Sequence, residues 1–522
     1  MIDYDINRLS LDELIGQLIV FGFDGLDIND HVIELIRSQK AGNVILFARN
    51  INTPEQLFKL NQNLQKLAVE TTNIPLLISI DQEGGMVTRI KNGTTYFPGA
   101  MTITASANPN NSYLSGKYMG NILKALGVNM NLAPSLDINN NPKNPVIGVR
   151  SFGDNPHTVA KYGYEFIKGL QESVIATAKH FPGHGDTDTD SHLDLPTINK
   201  TLEELKEFEL IPFKEAIEMG VLAIMSSHIS FPELSFDKRP ATLSKYFLTN
   251  LLKNELGFKG LIVTDCLEMK AIQTYYTTKK GVSMAIKAGA NLAMVSSTEA
   301  LQIDSIKYLK EQVLNGELSI ELIKDRVRKV LEIKEKYVEY NPFKTYHDIK
   351  EIIEDKETKE FSLSVVRKAM TRIRGKDPLK GLKTLLIASS PLSTTVADES
   401  TGDFSIVSSV KKELPNIDTL KVTVRLKEEE LNHILAISEE YEQIILCSYN
   451  ANIYKNQLVL IDKLNKSSNL YVIAMRNPYD SLFVKNIKNL ILMYEYTPNS
   501  VKILIEYLKG NITPLGKLPV TL

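Results

Sequence analysis

One short stretch of the sequence concentrates side chains that can bind metals or carry protons. It reads KHFPGHGDTDTDSH, spans residues 179–192, and holds three of the chain's eight histidines together with three aspartates. Its two glycines and one proline disfavour a regular helix or strand, so a loop is expected, and the glycines are expected to let it move. Calcium binding, zinc binding and proton transfer are all compatible with this composition.

Calcium binding is the first possibility, because Asp186, Asp188 and Asp190 repeat the D-x-D-x-D start of an EF-hand loop. The sixth position of that loop would be Ser191 instead of glycine, and the twelfth would be Thr197 instead of glutamate. EF-hand geometry depends on both of the missing residue types. The pattern therefore argues against a calcium loop.

Zinc binding would have to use His180, His184 and His192. These histidines are four and eight residues apart, and no cysteine lies in the stretch. Such spacing matches no common zinc motif. The sequence accordingly predicts no metal and no other cofactor.

Proton transfer is the third possibility and rests on Asp190 and His192, which flank a single residue. On a bent loop the aspartate can accept a hydrogen bond from one imidazole nitrogen and leave the other for a substrate. Such a partner favours the protonated ring, so the histidine can act as an acid near neutral pH. An incidental acidic neighbour of a loop histidine would give the same triplet, and the residues alone leave both interpretations open.

Further charged residues fall where buried strands are expected to end. Each of them alone is most simply a solvated loop charge or a turn residue. Their arrival from several strands at one rim favours a common site, because in a (β/α)8 barrel function collects at the carboxyl ends of the strands. They are Asp81 at the end of the third strand with Arg89 a turn later, Arg150 after the fourth, Lys179 and His180 at the end of the fifth, His228 after the sixth and Asp265 at the end of the seventh.

Eight short apolar runs, alternating with helical patterns, would position these residues. The runs lack strict alternation of apolar and polar residues, as expected of strands buried on both faces. One intervening helix is clearly marked by Thr53 as a cap, Pro54 in the first turn and Gln56 as the partner in a capping box. The pattern predicts an α/β fold with an N-terminal (β/α)8 TIM barrel. The runs lie at 17–23, 43–47, 75–81, 128–133, 174–180, 221–227, 260–265 and 291–296.

A second unit follows the barrel. The segment 319–338 has the pattern of a closing amphipathic helix, and the polar stretch after it lacks strand signals. Apolar runs then alternate with helical patterns again, which predicts a C-terminal α/β (αβα) sandwich domain. The predicted boundaries are a catalytic barrel at 1–340, a linker at 341–378 and the sandwich at 379–522. The apolar runs of the sandwich lie at 382–390, 417–424, 442–448, 469–475 and 489–496.

The composition argues against several classes of protein. The 522 residues carry a formal net charge of -2, so no basic excess indicates a nucleic-acid partner. No apolar run reaches the roughly 18 residues needed to span a bilayer, so no membrane contact is expected. Two cysteines far apart, Cys266 and Cys447, are typical of a reducing compartment. The N-terminus lacks a signal-peptide pattern, so a cytoplasmic location is expected unless a leader has been removed.

Several motifs together resemble those of the β-N-acetylglucosaminidases within glycoside hydrolase family 3. KHFPGHGDTDTDSH resembles the signature loop of that branch. IDQEGG, NLAPSLDI, PVIGVRSFG and VTDCLEM resemble further family motifs, in the family's order. The barrel resemblance covers about residues 10 to 340, and the end of the chain, GKLPVTL, is similar to that of the two-domain members.

The resemblance implies a role for each candidate residue. Asp265 would be the catalytic nucleophile, and His192 would be the general acid/base, paired with Asp190. The family's β-glucosidases commonly take an acid/base glutamate from the second domain, which the Asp190–His192 pair would make unnecessary. The N-acetylglucosamine ring would be held by Asp81, Arg89, Arg150, Lys179 and His180.

Three residues depart from the family's usual pattern. Met86 stands where an arginine is common after the EGG turn, which is expected to alter the electrostatics beside the sugar site. Cys266 and Glu268 replace the small residues often found beside the nucleophile. A residue just past a barrel strand is often buried, so Cys266 is expected to pack and not to act as a catalytic thiol.

These features predict a retaining, exo-acting β-N-acetylglucosaminidase that acts on N-acetylglucosamine-containing saccharides, with peptidoglycan fragments (muropeptides) as the expected substrate. Retention needs a nucleophile on one side of the anomeric carbon and an acid on the other. A neutral histidine base repels an incoming anion less than a carboxylate would, so a phosphorylase on the same substrates is the alternative. A non-catalytic sugar-binding barrel is a more remote one.

Overall fold

Two separate β-sheets organise the chain in the computed structural model. The residues that the structure describes are 5–187, 195–234, 239–390, 404–467, 469–484 and 486–522. Asp190 and His192 of the predicted acid/base pair lie outside the described residues. The predicted fold class, an N-terminal barrel followed by a C-terminal α/β domain, is confirmed.

The first sheet is a nearly closed barrel of eight parallel strands. All eight predicted runs form strands: Ile19–Phe21 (β1), Asn43–Leu46 (β2), Leu77–Ile80 (β3), Met130–Asn131 (β4), Ile175–Phe181 (β5), Ala223–Ser226 (β6), Leu261–Thr264 (β7) and Ala293–Val295 (β8). Their order is β7-β6-β5-β4-β3-β2-β1-β8. A parallel bridge between Val263 and Leu292 brings β7 back to the start of β8.

Buried apolar side chains on both faces of the strands hold the barrel together. Val20 in β1 belongs to a cluster that fills the barrel interior, whereas its neighbours Ile19 and Phe21 pack outward against the helices. This two-sided burial is the reason that the runs show no apolar–polar alternation. The carboxyl ends of all eight strands meet at one rim, where the described members of the predicted site lie.

The helices of the barrel begin and end close to the predicted signals. The closing helix begins after Ser319, whose hydroxyl accepts a bond from the Glu321 amide. Thr53 caps the marked helix, but Gln56 accepts from the Asn52 amide and not from that of Thr53, so the predicted capping box is only half formed. The α-helices are Leu11–Gly16 (α1), Asp30–Ile33 (α2), Pro54–Thr72 (α3), Ala100–Ala105 (α4), Pro109–Ala125 (α5), Pro156–Leu170 (α6), Leu202–Glu207 (α7), Ile211–Met219 (α8), Lys270–Tyr276 (α9), Thr278–Ala288 (α10), Glu299–Leu314 (α11) and Ile320–Tyr337 (α12).

Shorter or wider helical turns complete the barrel's connections. Two are π-helical, Glu34–Ser38 and Tyr246–Glu255. Four are 3-10 turns, Ile6–Arg8, Ala48–Asn50, Gly148–Arg150 and Ala241–Leu243. None of the helices within the described ranges is both long and apolar enough to cross a membrane.

The second sheet has six strands and contains one that the sequence did not indicate. The strands are Thr371–Arg374 (β9), Thr384–Ser389 (β10), Ile417–Val422 (β11), Gln443–Ser448 (β12), Asn469–Ala474 (β13) and Asn489–Leu492 (β14). Their order is β11-β10-β12-β13-β14-β9, parallel except for β9, which runs antiparallel to β14. The helices are Lys350–Glu354 (α13), Lys356–Ala369 (α14), Ile406–Glu413 (α15), Glu428–Ser438 (α16), Asn456–Ser467 (α17), Asp480–Phe483 (α18) and Pro498–Leu508 (α19), with a 3-10 turn at His347–Ile349.

The segment predicted as a linker, 341–378, contains α13, α14 and the edge strand β9. The strand was missed because TRIR has no apolar run, and only its first residue is buried. The domain boundaries at 340 and 378 stay predictions. An edge strand of the second sheet nevertheless lies inside the predicted connection.

The two domains share a packed interface beside the rim formed by the carboxyl ends of the barrel strands. Met86, Met101 and Val149 of the barrel belong to the same buried cluster as the core of the second domain. Tyr479 of the second domain accepts a hydrogen bond from the Asn139 side chain at 2.6 Å. The second domain therefore supports loops that begin in the barrel.

Candidate active site

A cavity of about 610 Å³ opens at the carboxyl ends of the barrel strands. Six of the eight predicted site residues line it: Asp81, Arg89, Arg150, Lys179, His180 and Asp265. The other two, Asp190 and His192, lie outside the described residues. Side chains at the end of β5 and after β3, β4 and β7 thus meet in one place, as the barrel topology requires.

Asp81 lies between two cations at the end of β3. The ammonium group of Lys179 donates to one carboxylate oxygen of Asp81 at 2.8 Å. Arg89 lies 3.6 Å from the other oxygen. The Asp81 side chain is 17% exposed and that of Lys179 only 2%, so the carboxylate is the more accessible partner. Carboxylate oxygens that still have free lone pairs can accept hydrogen bonds from sugar hydroxyls.

Glu83 is a second acid in this network and was not singled out by the sequence. It accepts two hydrogen bonds from the Arg150 guanidinium, at 2.9 and 2.7 Å, and lies 2.7 Å from the ammonium group of Lys179. Burial alone would raise the pKa of Glu83, but the charges of Arg150 and Lys179 outweigh it and hold the pKa well below its usual range. Glu83 is therefore a fixed anion that sets the position of two predicted sugar-binding cations.

Asp137, on the loop after β4, plays the same part for the histidines of the signature stretch. It is fully buried and accepts from His180 Nδ1 at 2.6 Å and from the His184 amide at 2.7 Å. Burial alone would raise the pKa of Asp137, but the neighbouring His180 holds it well below its usual range. The bond fixes the His180 ring with Nδ1 as a donor, which leaves Nε2 for a substrate.

His184 also lines the cavity and was considered in the sequence only as a zinc ligand. Its ring lies edge-on to that of His180, with 5.8 Å between centroids. Burial, followed by the charge of His180, lowers the pKa of His184 to about 4, so this ring is neutral at physiological pH. Within the described residues, no group of three or more His, Cys, Asp or Glu side chains has the arrangement of a metal site.

The first half of the signature stretch is fastened to the loop after β4. The side chain of Asn144 donates to the carbonyls of His184 and Gly185 at 2.8 and 2.9 Å. A Cβ atom on Gly185 would lie 1.6 Å from the carbonyl oxygen of Ile138. Gly185 is therefore needed for close packing, and movement of the loop stays a prediction.

Backbone contacts support Asp265, the predicted nucleophile. Its carboxylate accepts a hydrogen bond from the amide of Cys266 at 2.7 Å. His228, predicted as a rim residue, is fully buried, and its Nε2 lies 2.9 Å from the carbonyl oxygen of Cys266. Since a carbonyl can only accept, that nitrogen donates. His228 thus holds the backbone of Cys266, the residue that follows the predicted nucleophile.

Cys266 and Glu268, which depart from the family's usual pattern beside the predicted nucleophile, have structural explanations. Cys266 lines the cavity, and its thiol lies 3.0 Å from the hydroxyl of Ser296. Burial raises the pKa of Cys266 to about 11, so the thiol is protonated at neutral pH and is a poor nucleophile. Glu268 accepts bonds from the amides of Ser297 and Thr298 at 3.2 and 2.9 Å, just before α11.

Met86 lies in the interface between the two domains. It is 5% exposed and packs into the core of the second domain, where its sulfur accepts a bond from the Tyr496 amide at 3.3 Å. Met86 nevertheless borders the same narrow gap as Glu83 and Arg150, so the expected effect on the electrostatics beside the sugar site stays a prediction. The side chain points into the domain interface, where an apolar residue packs better than a charged one.

Comparison with known proteins identifies the relatives of this chain. The family model described as "Glycosyl hydrolase family 3 N terminal domain" matches residues 10–333. "Beta-hexosaminidase A" of Pseudoalteromonas piscicida is 38% identical over 279 residues, which are 50% of this chain and 47% of that protein. "Beta-hexosaminidase" of Nitrosomonas eutropha is 35% identical over 261 residues, 49% of this chain and 73% of that protein. The match thus spans less than half of the first relative.

A solved structure resembles the whole chain. It is a glycoside hydrolase family 3 β-N-acetylglucosaminidase from Paenibacillus sp. str. FPU-7, with 38% sequence identity and a TM-score of 0.92. The superposition covers 99% of both chains, so it includes the second domain as well as the barrel.

Proposed function

This chain belongs to glycosyl hydrolase family 3 and is a glycoside hydrolase, and we propose that it releases terminal β-linked N-acetylglucosamine with retention of configuration. The observation that carries the proposal is the meeting of five predicted sugar-binding residues with Asp265 in one cavity. The names of the relatives and of the solved neighbour support the choice of sugar.

Binding of the sugar is proposed to use the charged network at the ends of β3 to β5. Lys179 has three donors, of which two are directed at Asp81 and Glu83, so the third can reach a sugar hydroxyl. Asp81 can accept from a hydroxyl, and His180 can offer Nε2. Because these side chains are already held by one another, little conformational freedom is lost on binding.

The proposed reaction has two steps that share Asp265 and His192. In the first, a carboxylate oxygen of Asp265 bonds to the anomeric carbon while the glycosidic bond breaks and His192 gives its proton to the leaving oxygen. In the second, neutral His192 takes a proton from water, and the resulting hydroxide displaces Asp265 from the sugar. Asp190 is proposed to orient His192; the roles of both rest on the resemblance.

Substrate preference and stereochemistry test this proposal together. Aryl β-glycosides of N-acetylglucosamine and of glucose, a muropeptide and an N-acetylglucosamine disaccharide would be assayed with and without phosphate. NMR would record the first sugar released. We expect β-N-acetylglucosamine from its aryl glycoside and from the muropeptide, with no dependence on phosphate.

Each other outcome identifies a different error. Preferential cleavage of the glucoside would overturn the choice of sugar, and initial release of the α-anomer would overturn retention. Sugar 1-phosphate as the product would identify a phosphorylase. If the enzyme cleaves the disaccharide but not the muropeptide, peptidoglycan fragments are not its substrate.

A further inference from the structure

Glu495 of the second domain reaches across the interface to the barrel. Its side chain is 1% exposed. One carboxylate oxygen accepts from the Gly99 amide at 3.0 Å and from the Thr102 hydroxyl at 2.7 Å, and the other accepts from the Thr497 hydroxyl at 2.6 Å. All three partners are donors, so the site fits a group that only accepts.

The same carboxylate lies against the turn that follows Glu83. Gly84 and Gly85 adopt positive φ angles of 89° and 53°. A Cβ atom on Gly85 would lie 2.8 Å from Gly99 Cα and 3.5 Å from a carboxylate oxygen of Glu495. The glycine turn is thus wedged between the segment at Gly99 and the second domain, with no space for a side chain.

This turn leads directly to the charged network of the cavity. The Glu83 amide donates to the Val87 carbonyl across the turn at 3.0 Å, and the Gly85 amide donates to the Phe97 carbonyl at 2.8 Å. Glu83 in turn holds Arg150 and Lys179. Glu83, Arg150 and Glu495 also border the same narrow gap between the domains. A continuous set of contacts therefore connects Glu495 to the sugar-binding cations.

We propose that Glu495 is a positioning residue for sugar binding, through which the second domain holds the Glu83 turn, and with it Arg150 and Lys179, in the binding geometry. The inference rests on the proposed function for the identity of the sugar. It assigns the second domain a part in the site even though no described residue of that domain lines the main cavity. A residue of this kind holds the side chains that bind the substrate. Displacing those side chains by a fraction of an ångström weakens binding and turnover without removing any reacting group.

The variant Glu495→Gln tests the proposal, because it keeps the shape but places an amide N–H₂ among donors. The matched control is Tyr494→Phe, which removes a buried hydroxyl that donates to Thr371 of β9 and leaves the aromatic ring in place. We expect Glu495→Gln to raise the Kd for N-acetylglucosamine and the KM of its aryl glycoside by about tenfold, with a smaller change in kcat. Tyr494→Phe should leave both constants within about twofold.

Thr102→Val gives the same test if Glu495→Gln does not fold, since it removes one donor to Glu495 and leaves the carboxylate. It should raise the Kd in the same direction by a smaller factor. Equal loss of melting temperature in Glu495→Gln and Tyr494→Phe, with Kd and KM unchanged in both, would overturn the proposal. Failure of the wild-type protein to bind N-acetylglucosamine or cleave its glycosides would instead overturn the proposed function. The positioning role of Glu495 could still be tested in that case, from the ratio of the Kd of the variant to that of the wild type for whichever monosaccharide binds.

Discussion

The two halves of the cavity are built differently. At the ends of β3 to β5, charged side chains compensate one another: Glu83 holds Arg150 and Lys179, and Lys179 also holds Asp81. At the end of β7, the backbone supports Asp265, through the Cys266 amide and, one step away, the His228–Cys266 contact. The first half therefore resembles a preset binding surface, and the second holds the carboxylate that we propose as the nucleophile.

This difference predicts two different responses to mutation. Removing one member of a buried charge network leaves its partners charged and unpaired, which costs stability as well as binding. Removing Asp265, which accepts a hydrogen bond from the backbone amide of Cys266, should cost turnover and leave the fold almost unchanged. The predictions below test this division, beginning with the largest effect.

Asp265→Ala should lower kcat by at least about 10³-fold, because no other group would form the covalent intermediate. Its melting temperature and its Kd for N-acetylglucosamine should stay close to those of the wild type. Steady-state kinetics, calorimetric unfolding and sugar titration would measure the three quantities. A large loss of stability with residual turnover would show that Asp265 has a structural role like that of the charged network, and that it is not the nucleophile.

His192→Ala should lower turnover of a natural disaccharide by about 10²- to 10⁴-fold, the usual contribution of a general acid. The first step with an aryl glycoside should suffer less, since a good leaving group needs little protonation. Asp190→Ala should cause a smaller loss of turnover than His192→Ala, and it should shift the acidic or the alkaline limb of the plot of activity against pH. Equal losses with both substrates, and restoration of activity by added zinc, would replace the proposed acid/base pair with a metal.

Glu83→Gln should lower kcat/KM by about 10²-fold and, unlike Asp265→Ala, should also destabilise the fold by about 3 kcal/mol. The reason is that Arg150 and Lys179 stay buried without their shared anion. Chemical denaturation would give the free energy of unfolding. An unchanged free energy would contradict the contrast between the two halves.

The stability difference between the wild type and Glu83→Gln should depend on pH. The pKa of Glu83 is held well below its ordinary value of 4.5 in the folded protein. A depressed pKa stabilises the fold above the unfolded-state pKa, and this contribution is lost as the pH falls toward the folded value. The difference in the free energy of unfolding between the two proteins, measured by denaturation from pH 7 to pH 3, should therefore shrink below about pH 4.5. A difference that stays constant would contradict the assignment.

Cys266→Ser should have the smallest effect, with kcat within about threefold of the wild type. The pKa of the thiol is raised to about 11, so a neutral hydroxyl can replace a neutral thiol in the contact with Ser296. Treatment with a thiol alkylating agent at pH 7 should proceed slowly. Rapid alkylation accompanied by loss of activity would mean that the thiolate takes part in the reaction.

The sequence predicted the fold well because buried parallel strands give strong local signals. Every predicted run of the barrel and of the second sheet contains a strand. The edge strand Thr371–Arg374 was missed because edge strands need few apolar residues and antiparallel pairing with β14 is a non-local contact. The linker prediction followed from the same lack of a local signal.

The site could be predicted only in part. The predicted residues that line the cavity lie at or beyond the ends of predicted strands, so topology brought them together. Glu83 and Asp137 were missed because their importance comes from burial beside cations, which depends on tertiary structure. The contact of Met86 with the second domain was not predicted for the same reason, since sequence position does not show which side of a turn faces that domain.

Trapping the covalent intermediate tests the central claim most directly. The wild-type protein would be incubated with a fluorinated N-acetylglucosamine reagent that forms the glycosyl-enzyme quickly and hydrolyses slowly, then digested and analysed by mass spectrometry. The account predicts a single glycosyl adduct on the carboxylate of Asp265, and none in Asp265→Ala. An adduct on another residue of the wild type would contradict it.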